Sequence, residues 1–515
     1  MAASTDVESN SRLIRFTLRV LAGVERIGNR LPHPFWLFVF MAGVVVALSV
    51  LLDALGAFAV SPVDGERVEI SSLISSDGIH MMLGDAVENF ASFPPLALIV
   101  AVMMGVAVAE QSGMLAALLR RTVTRVSPKY LTFALAFTGV SASVISDAAY
   151  VVLLPLGALV FKAVGRSPIL GLAVAFGSVS AGYDASVFPT PGDVLFAGIT
   201  TSAAQVIDPD YVVNPLANYF FTAASAAILA LMITLVVELL LSKRAAHMTV
   251  DGDASDQDLG DIRLSAAERK GLRNAGIALL AAVAVIIGVL LPPASPFRGE
   301  DGGILDSAII SGMAVVLGGL FLLLGFVYGR TVGTITKAGE VPAAMASGVR
   351  DLAPVIVLFL AASQFIAYFG WSKMGEVLAI RGAELLESLG VHSVLLFLGM
   401  ILVATVMNLF ITSGSAQWTL IAPVFVPMFL LLQVPAETTL AVFRIADSAT
   451  NLISPMSPYF AMALGFLQRY RKQAGIGTLM SLTLPVSITV LVSWTAIFLA
   501  WWALGIPLGP GAPVR

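Results

Sequence analysis

Residues 391–433 read VHSVLLFLGMILVATVMNLFITSGSAQWTLIAPVFVPMFLLLQ. The run holds no Lys, Arg, Asp or Glu and is predominantly apolar, with its densest polar interruption at Asn408-Leu-Phe-Ile-Thr-Ser-Gly-Ser415. A bilayer-spanning helix needs about 20 residues, so this run is far too long for one span. Its middle offers small and polar residues that turn the chain tightly, and such backbone at membrane depth must be buried in protein or line water. The pattern predicts a re-entrant hairpin. Residues 130–161 are built alike, interrupted at Ser141-Ala-Ser-Val-Ile-Ser-Asp147, and predict another.

Working outward, apolar blocks predict spans at about 35–56, 94–112, 169–190, 215–242, 272–292, 305–328, 351–370, 439–464 and 478–505. The 515 residues are 58% hydrophobic and 12% charged, about half the roughly 25% charge of a soluble domain. The expected fold is an all-α polytopic membrane protein in the lipid bilayer, with nine transmembrane helices plus two re-entrant hairpins.

Lysine and arginine orient the spans, because cytoplasmic loops carry the excess of positive charge. With the N-terminus inside, 23 of the 29 basic residues fall in cytoplasmic segments, five fall outside, and Arg444 lies within a span. The expected divisions are a cytoplasmic N-terminal arm (1–34), a first half (35–242) with hairpin one (130–161), and a polar cytoplasmic linker (243–271). A second half (272–505) with hairpin two (391–433) and a C-terminal tail (506–515) follow. The arm lacks the apolar core and cleavage site of a removable signal peptide. The 58–92 loop, with Asp64, Glu66, Glu69, Asp77, Asp85 and Glu88, reads as an external acidic loop.

At an offset of 268, Pro155 falls on Pro423, Leu172-Ala-Val174 on Leu440-Ala-Val442 and Ser180 on Ser448. In the same register Asp147 faces Ser415 and Tyr150 faces Trp418. Hairpin one would open from the cytoplasm and hairpin two from outside, which makes the repeat inverted. In secondary transporters such repeats place the substrate between broken helices near the midplane.

Chemistry concentrates in Phe443-Arg-Ile-Ala-Asp-Ser-Ala-Thr-Asn-Leu-Ile-Ser-Pro-Met-Ser-Pro458. Arg444, Asp447, Asn451 and Pro455 share one helical face. A charge at this depth costs several kcal/mol and faces a cavity or a partner. One reading is a structural Arg444–Asp447 pair at i, i+3. In the other, Arg444 attracts a substrate carboxylate and Asp447 belongs to a cation or proton site. Pro455 and Pro458 end the helix within the membrane and free carbonyls, which favours the second.

In hairpin two, the amides opening the following half-helix form an anion site, and Trp418 offers an aromatic face; an ordinary packed turn is the alternative. Asn408, Asn451, Thr412 and Ser413 supply hard oxygens suited to sodium. In the first half, Ser180-Ala-Gly-Tyr-Asp-Ala-Ser-Val-Phe-Pro-Thr-Pro-Gly-Asp193 breaks another helix and carries two acids, Asp184 and Asp193. These and Asp147 are candidate proton or cation carriers, unless Asp193 lies in the external loop. Glu110 and Glu238 read as interfacial, and Gly325-x-x-x-Gly329 is a helix-packing signal.

Cysteine is absent, and His33, His80, His247 and His392 are scattered. This excludes thiolate zinc sites and cysteine nucleophiles. No phosphate-binding G-x-x-x-x-G-K-[ST] loop occurs, and the net charge of -4 argues against nucleic acid. An integral-membrane enzyme finds no nucleophile–base or metal set to support it, so no enzyme and no cofactor are expected, a sodium ion aside.

Asn408 to Pro423 and Arg444 to Phe460 resemble the signature stretches of the AbgT family, the p-aminobenzoyl-glutamate transporters. The similarity extends through Gly105 to Arg120, Gly182 to Ile199 and Gln364 to Gly375. The resemblance implies a homodimer of nine spans and two hairpins per protomer in a bacterial inner membrane. It implies transport of p-aminobenzoyl-glutamate or export of sulfonamide-type antimetabolites; a sodium-coupled carboxylate importer of the same architecture is the alternative. The family's substrate-path positions match Asp193, Ser415, Trp418, Arg444, Asp447 and Pro455, and its cation site resembles Asn408, Asp447 and Asn451. Two departures stand out. A family proline eight residues before the arginine is Ala436 here, with Pro435 one place earlier, and Ala181-Gly-Tyr-Asp184 is less typical.

Overall fold

The computed structural model describes residues 33–62, 65–124, 126–145, 148–246, 248–251, 264–299, 302–304 and 307–515. Residues 1–32 of the N-terminal arm, residues 252–263 of the 243–271 linker and Asp147 of the expected hairpin one lie outside the described residues.

The chain is predominantly helical. Its main helices are α1 (Pro34–Ala54), α2 (Pro94–Gln111), α3 (Met114–Thr124), α4 (Leu131–Val140), α5 (Ala148–Ala163), α6 (Pro168–Ala181), α7 (Pro191–Ala204), α8 (Tyr219–Ala246) and α9 (Ala266–Leu290). The second half continues with α10 (Met313–Val332), α11 (Glu340–Asp351), α12 (Ala353–Trp371), α13 (Met374–Ser388), α14 (Ser393–Asn408), α15 (Gly414–Leu431), α16 (Ala436–Asn451), α17 (Pro458–Tyr470) and α18 (Ile476–Leu504). Among the described residues, eight helices are long and apolar enough to cross a membrane: α1, α2, α8, α9, α10, α12, α15 and α18. Seven of these coincide with expected spans; α15 is the second leg of the expected hairpin two.

Two expected spans, 169–190 and 439–464, are interrupted at the Pro- and Gly-bearing stretches read as helix breaks. In the first, α6 ends at Ala181, nine residues run without helix, and Pro191 starts α7 at its first position, where a missing N–H costs nothing. In the second, α16 ends at Asn451, Pro455 sits in the gap, and Pro458 opens α17. The two long apolar runs also split where their polar interruptions fall. α14 stops at Asn408 and Ser413 caps α15 through its hydroxyl, whereas α4 passes through a short 3-10 segment, Ser141–Ile145, before α5.

An outer layer packs α2 against α10, α9 against α10 and α1 against α12. Its outward face is apolar: Ile277, Leu280, Val285 and Ile287 of α9 are all exposed, as suits lipid contact. The inner group holds α4 to α8 and α14 to α18, where α6 and α16 are buried along nearly their whole length. These inner helices cross between halves. Trp418 of α15 stacks on Phe443 of α16 and bonds Thr200 of α7, and Tyr150 of α5 stacks on Tyr459 of α17 with ring centroids 4.2 Å apart.

The 58–92 loop folds into an antiparallel strand pair, Phe58–Val60 with Arg67–Glu69, and two short helices. The C-terminal tail turns back: Leu508 O accepts from Phe221 N, and Val514 O accepts from the Thr438 hydroxyl at the head of α16.

Candidate functional site at the helix breaks

The stretch 436–451 is a helix because its apolar and small residues leave no breaker before the Pro455 turn. Almost every residue along it is buried, the polar face included. That face carries Arg444, Asp447 and, at its last residue, Asn451. The guanidinium of Arg444 is 2% exposed and does not pair with Asp447. Its Nη1 donates instead to Asp193 Oδ1 at 2.8 Å, from the other half of the chain.

Asp193 is placed by its own helix. It is the third residue of α7, in a capping box with Thr190. Its Oδ2 accepts from the Thr190 amide at 2.7 Å and the Thr190 hydroxyl at 2.8 Å, which leaves Oδ1 for Arg444. Asp193 is therefore a partly buried helix-start residue and not part of an external loop. One turn further on, the Phe196 ring lies 5.3 Å from the Arg444 guanidinium carbon, a cation–π contact. The Arg444 Nε remains buried without an acceptor.

Asp447 is 1% exposed, and neither carboxylate oxygen accepts a hydrogen bond. The carboxylate lies against the start of α15, so that a Cβ built on Gly414 would come within 2.8 Å of Oδ2. The half-helix N-terminus thus faces a protein carboxylate, which its dipole favours. Ser415 is beside it, with its hydroxyl 3.2 Å from that of Ser413.

Asn408 is fully buried at the end of α14. Its Nδ2 reaches Asp447 O at 2.5 Å, Thr450 Oγ1 at 2.9 Å and Asn451 Oδ1 at 3.1 Å. That arrangement leaves Asn408 Oδ1 without a donor. Three buried, unpartnered oxygens of Asn408 and Asp447 form a donor set that suits a hard cation. Asn451 Oδ1 is already engaged by Asn408. Pro455 sits in the turn beyond, among residues that release α16 from its hydrogen-bond ladder.

Trp418 is fully buried. Its indole N–H donates to Thr200 Oγ1 at 2.9 Å, and one face is covered by Phe443 at 4.5 Å. It backs the Arg444 helix from behind rather than presenting an open ring. Glu238 is paired with Arg166 at 2.8 Å, and Thr132 donates to the same carboxylate.

The sequence reading left Asp184 as one candidate among three; the crossing of the broken helices brings it to the others. Its amide donates to Ser448 Oγ at 2.9 Å, and that hydroxyl donates back to Asp184 Oδ2 at 3.0 Å. Of the three carboxylates only Asp193 is bonded to the Arg444 guanidinium; Asp184 is held by Ser448, and Asp447 has no donor. Phe196, Thr190 and Ser448 were missed as supports. Phe196 and Thr190 lie three residues either side of Asp193, which was the available signal.

Long apolar helices surrounding crossed, broken helices with a charged cluster at the breaks define a membrane transporter. Residues 19–515 match the family model of the AbgT transporters, and the chain belongs to the AbgT family; it is a transporter and not an enzyme. It is 36% identical over 489 residues to the p-aminobenzoyl-glutamate transport protein of Escherichia coli (strain K12), covering 95% of each chain. Among solved structures, it is similar to the YdaH transporter of Alcanivorax borkumensis, described as having an unusual topology. That match has a TM-score of 0.88 and 39% identity, over 93% of this chain and 100% of that one. It is also similar to MtrF of Neisseria gonorrhoeae, of a class of antimetabolite efflux pumps, with a TM-score of 0.91 and 38% identity, over 96% and 100%.

Proposed function

We propose that this transporter is a secondary carrier in a bacterial inner membrane, driven by a sodium or proton gradient, that moves p-aminobenzoyl-glutamate or a related aromatic anion. Its protomer has nine spans and two re-entrant hairpins in halves 35–242 and 272–505, with the N-terminus and linker cytoplasmic, and it works as a homodimer. The carrying observation is Arg444, buried at the break with one carboxylate partner and Nε to spare. A guanidinium edge is the protein's best match for a substrate carboxylate. Asp193 orients it, Phe196 and Trp418 support it, and Ser415 and the turn at Pro455 border the substrate path. Asn408, Asp447 and Asn451 would hold the coupling cation, whose charge offsets the excess of carboxylates when an anion enters. A second reading, export of sulfonamide-type antimetabolites, is supported by the likeness to MtrF.

Counterflow of p-aminobenzoyl-glutamate in proteoliposomes, with pH and sodium gradients imposed separately, tests the proposal. Saturable uptake that follows one gradient is expected. Arg444→Lys keeps the charge but loses the second donor edge, and should lower uptake about 10- to 100-fold, the equivalent of about 1.5–3 kcal/mol for a charged hydrogen bond. Uptake by that variant at the wild-type rate, from protein inserted at the wild-type level, would sink the assignment.

A further inference from the structure

We propose that Asp184 is a ligand of the coupling cation, contributed by the first half of the chain, so that the cation site spans both halves. The inference rests on the cation-coupled reading above and adds a residue to it. Three observations converge. Asp184 is 6% exposed and held in place by Ser448, the residue after Asp447, through two hydrogen bonds. Through Ser448, Asp184 lies against the turn of α16 that carries Asp447, where two buried carboxylates alone repel and a cation between them attracts both. Beside them the buried oxygens of Asp447 and Asn408 Oδ1 have no donor.

The charges around the pair do not remove the need. Among the described residues Arg444 is the one cation facing it, and its Nη1 is bonded to Asp193. Ser448 donates a single hydrogen, and Asn451 gives its oxygen to Asn408. A small hard cation, for which sodium is the probe, would take oxygens from Asp184, Asp447 and Asn408. Because these come from the α6–α7 break, α16 and the tip of hairpin two, cation binding would fasten the two halves together. Ligands that bind only the closed crossing stabilise it by mass action.

The test is thermal unfolding of purified protein, with sodium exchanged for choline at constant ionic strength and pH. Wild type should show a saturable rise in midpoint with sodium. Asp184→Asn keeps an acceptor for Ser448 but loses the charge; its sodium dissociation constant should weaken at least about 10-fold, a shift of about 1.4 kcal/mol. In sodium-free buffer the same variant should melt no lower than wild type, because a repulsion has gone, whereas a purely structural Asp184 would melt lower. Asp184→Ser gives the same readouts should the asparagine protein fail to fold. If Asn408→Ala abolishes the sodium rise but Asp184→Asn retains wild-type affinity, the Asp184 assignment is overturned and the cation site stands. If wild type shows no rise, the sodium reading fails and this inference with it.

Discussion

Arg444 and Trp418 show how a side chain's surroundings reassign what its chemistry alone promises. An arginine inside an apolar run announces itself, because its burial needs compensation. Its sequence neighbour Asp447 is the obvious partner, yet the bond goes to Asp193 across the crossing. That choice was not legible, since it depends on two broken helices from opposite halves meeting, which no local spacing encodes. Trp418 was legible as an aromatic just beyond the polar interruption of the 391–433 run, but not as a fully buried one whose N–H bonds Thr200 and whose face is covered by Phe443. Trp418→Phe should therefore act on stability: losing the bond to Thr200 costs about 1 kcal/mol and lowers the melting midpoint by a few degrees. The KM for p-aminobenzoyl-glutamate in proteoliposomes should stay within about twofold of wild type. A large rise in KM with an unchanged midpoint would instead make the indole a substrate platform.

Elements divide by how strong their local signal is. Long apolar helices and the Pro- and Gly-rich breaks were readable, because length and missing donors act within one segment. Helix α7 was not, being only 14 residues long with Thr200, Thr201 and Ser202 near its end, too short and too polar for a span. The amphipathic helices α3, α11 and α13 were passed over for the same reason. Close helix crossings were also hidden. Gly105 of α2 meets the backbone of Gly318 in α10, and a Cβ on Gly318 would come within 2.7 Å of Ala101 O. The neighbouring Gly319 has nothing within 4 Å. Gly318→Ala must push α2 and α10 apart, and the overpacking should cost about 1–3 kcal/mol. Gly319→Ala should be neutral or stabilising by up to about 1 kcal/mol, from helix propensity alone. Melting midpoints in detergent compare the pair; equal midpoints would mean that the crossing yields freely.

For the whole molecule, the inner group of broken helices must move against something if substrate is to pass from one side to the other. Helix α3 is one joint between the layers, beside the direct packing of α7 on α2. On one side Arg120 bonds Glu268 of the outer helix α9 at 2.5 Å. On the other, Thr138 of α4 donates to Thr122 of α3, with the two hydroxyl oxygens 3.0 Å apart. Helix α4 in turn packs on α6 and α8, inside the inner group, and Thr132 at its start shares Glu238 with Arg166. If the inner group shifts relative to the outer one, the Thr122–Thr138 contact has to open in each cycle. The chain has no cysteine, so the pair Thr122→Cys and Thr138→Cys can be oxidised without competing thiols. Hydroxyls this close leave the two sulfurs little distance to cover. Oxidation should stop counterflow by at least about 10-fold, and reductant should restore it, while each single variant transports normally under both conditions. Full cross-linking by mass spectrometry with undiminished transport would show that α3 travels with α4, and would move the sliding boundary to the α3–α9 contact at Arg120 and Glu268.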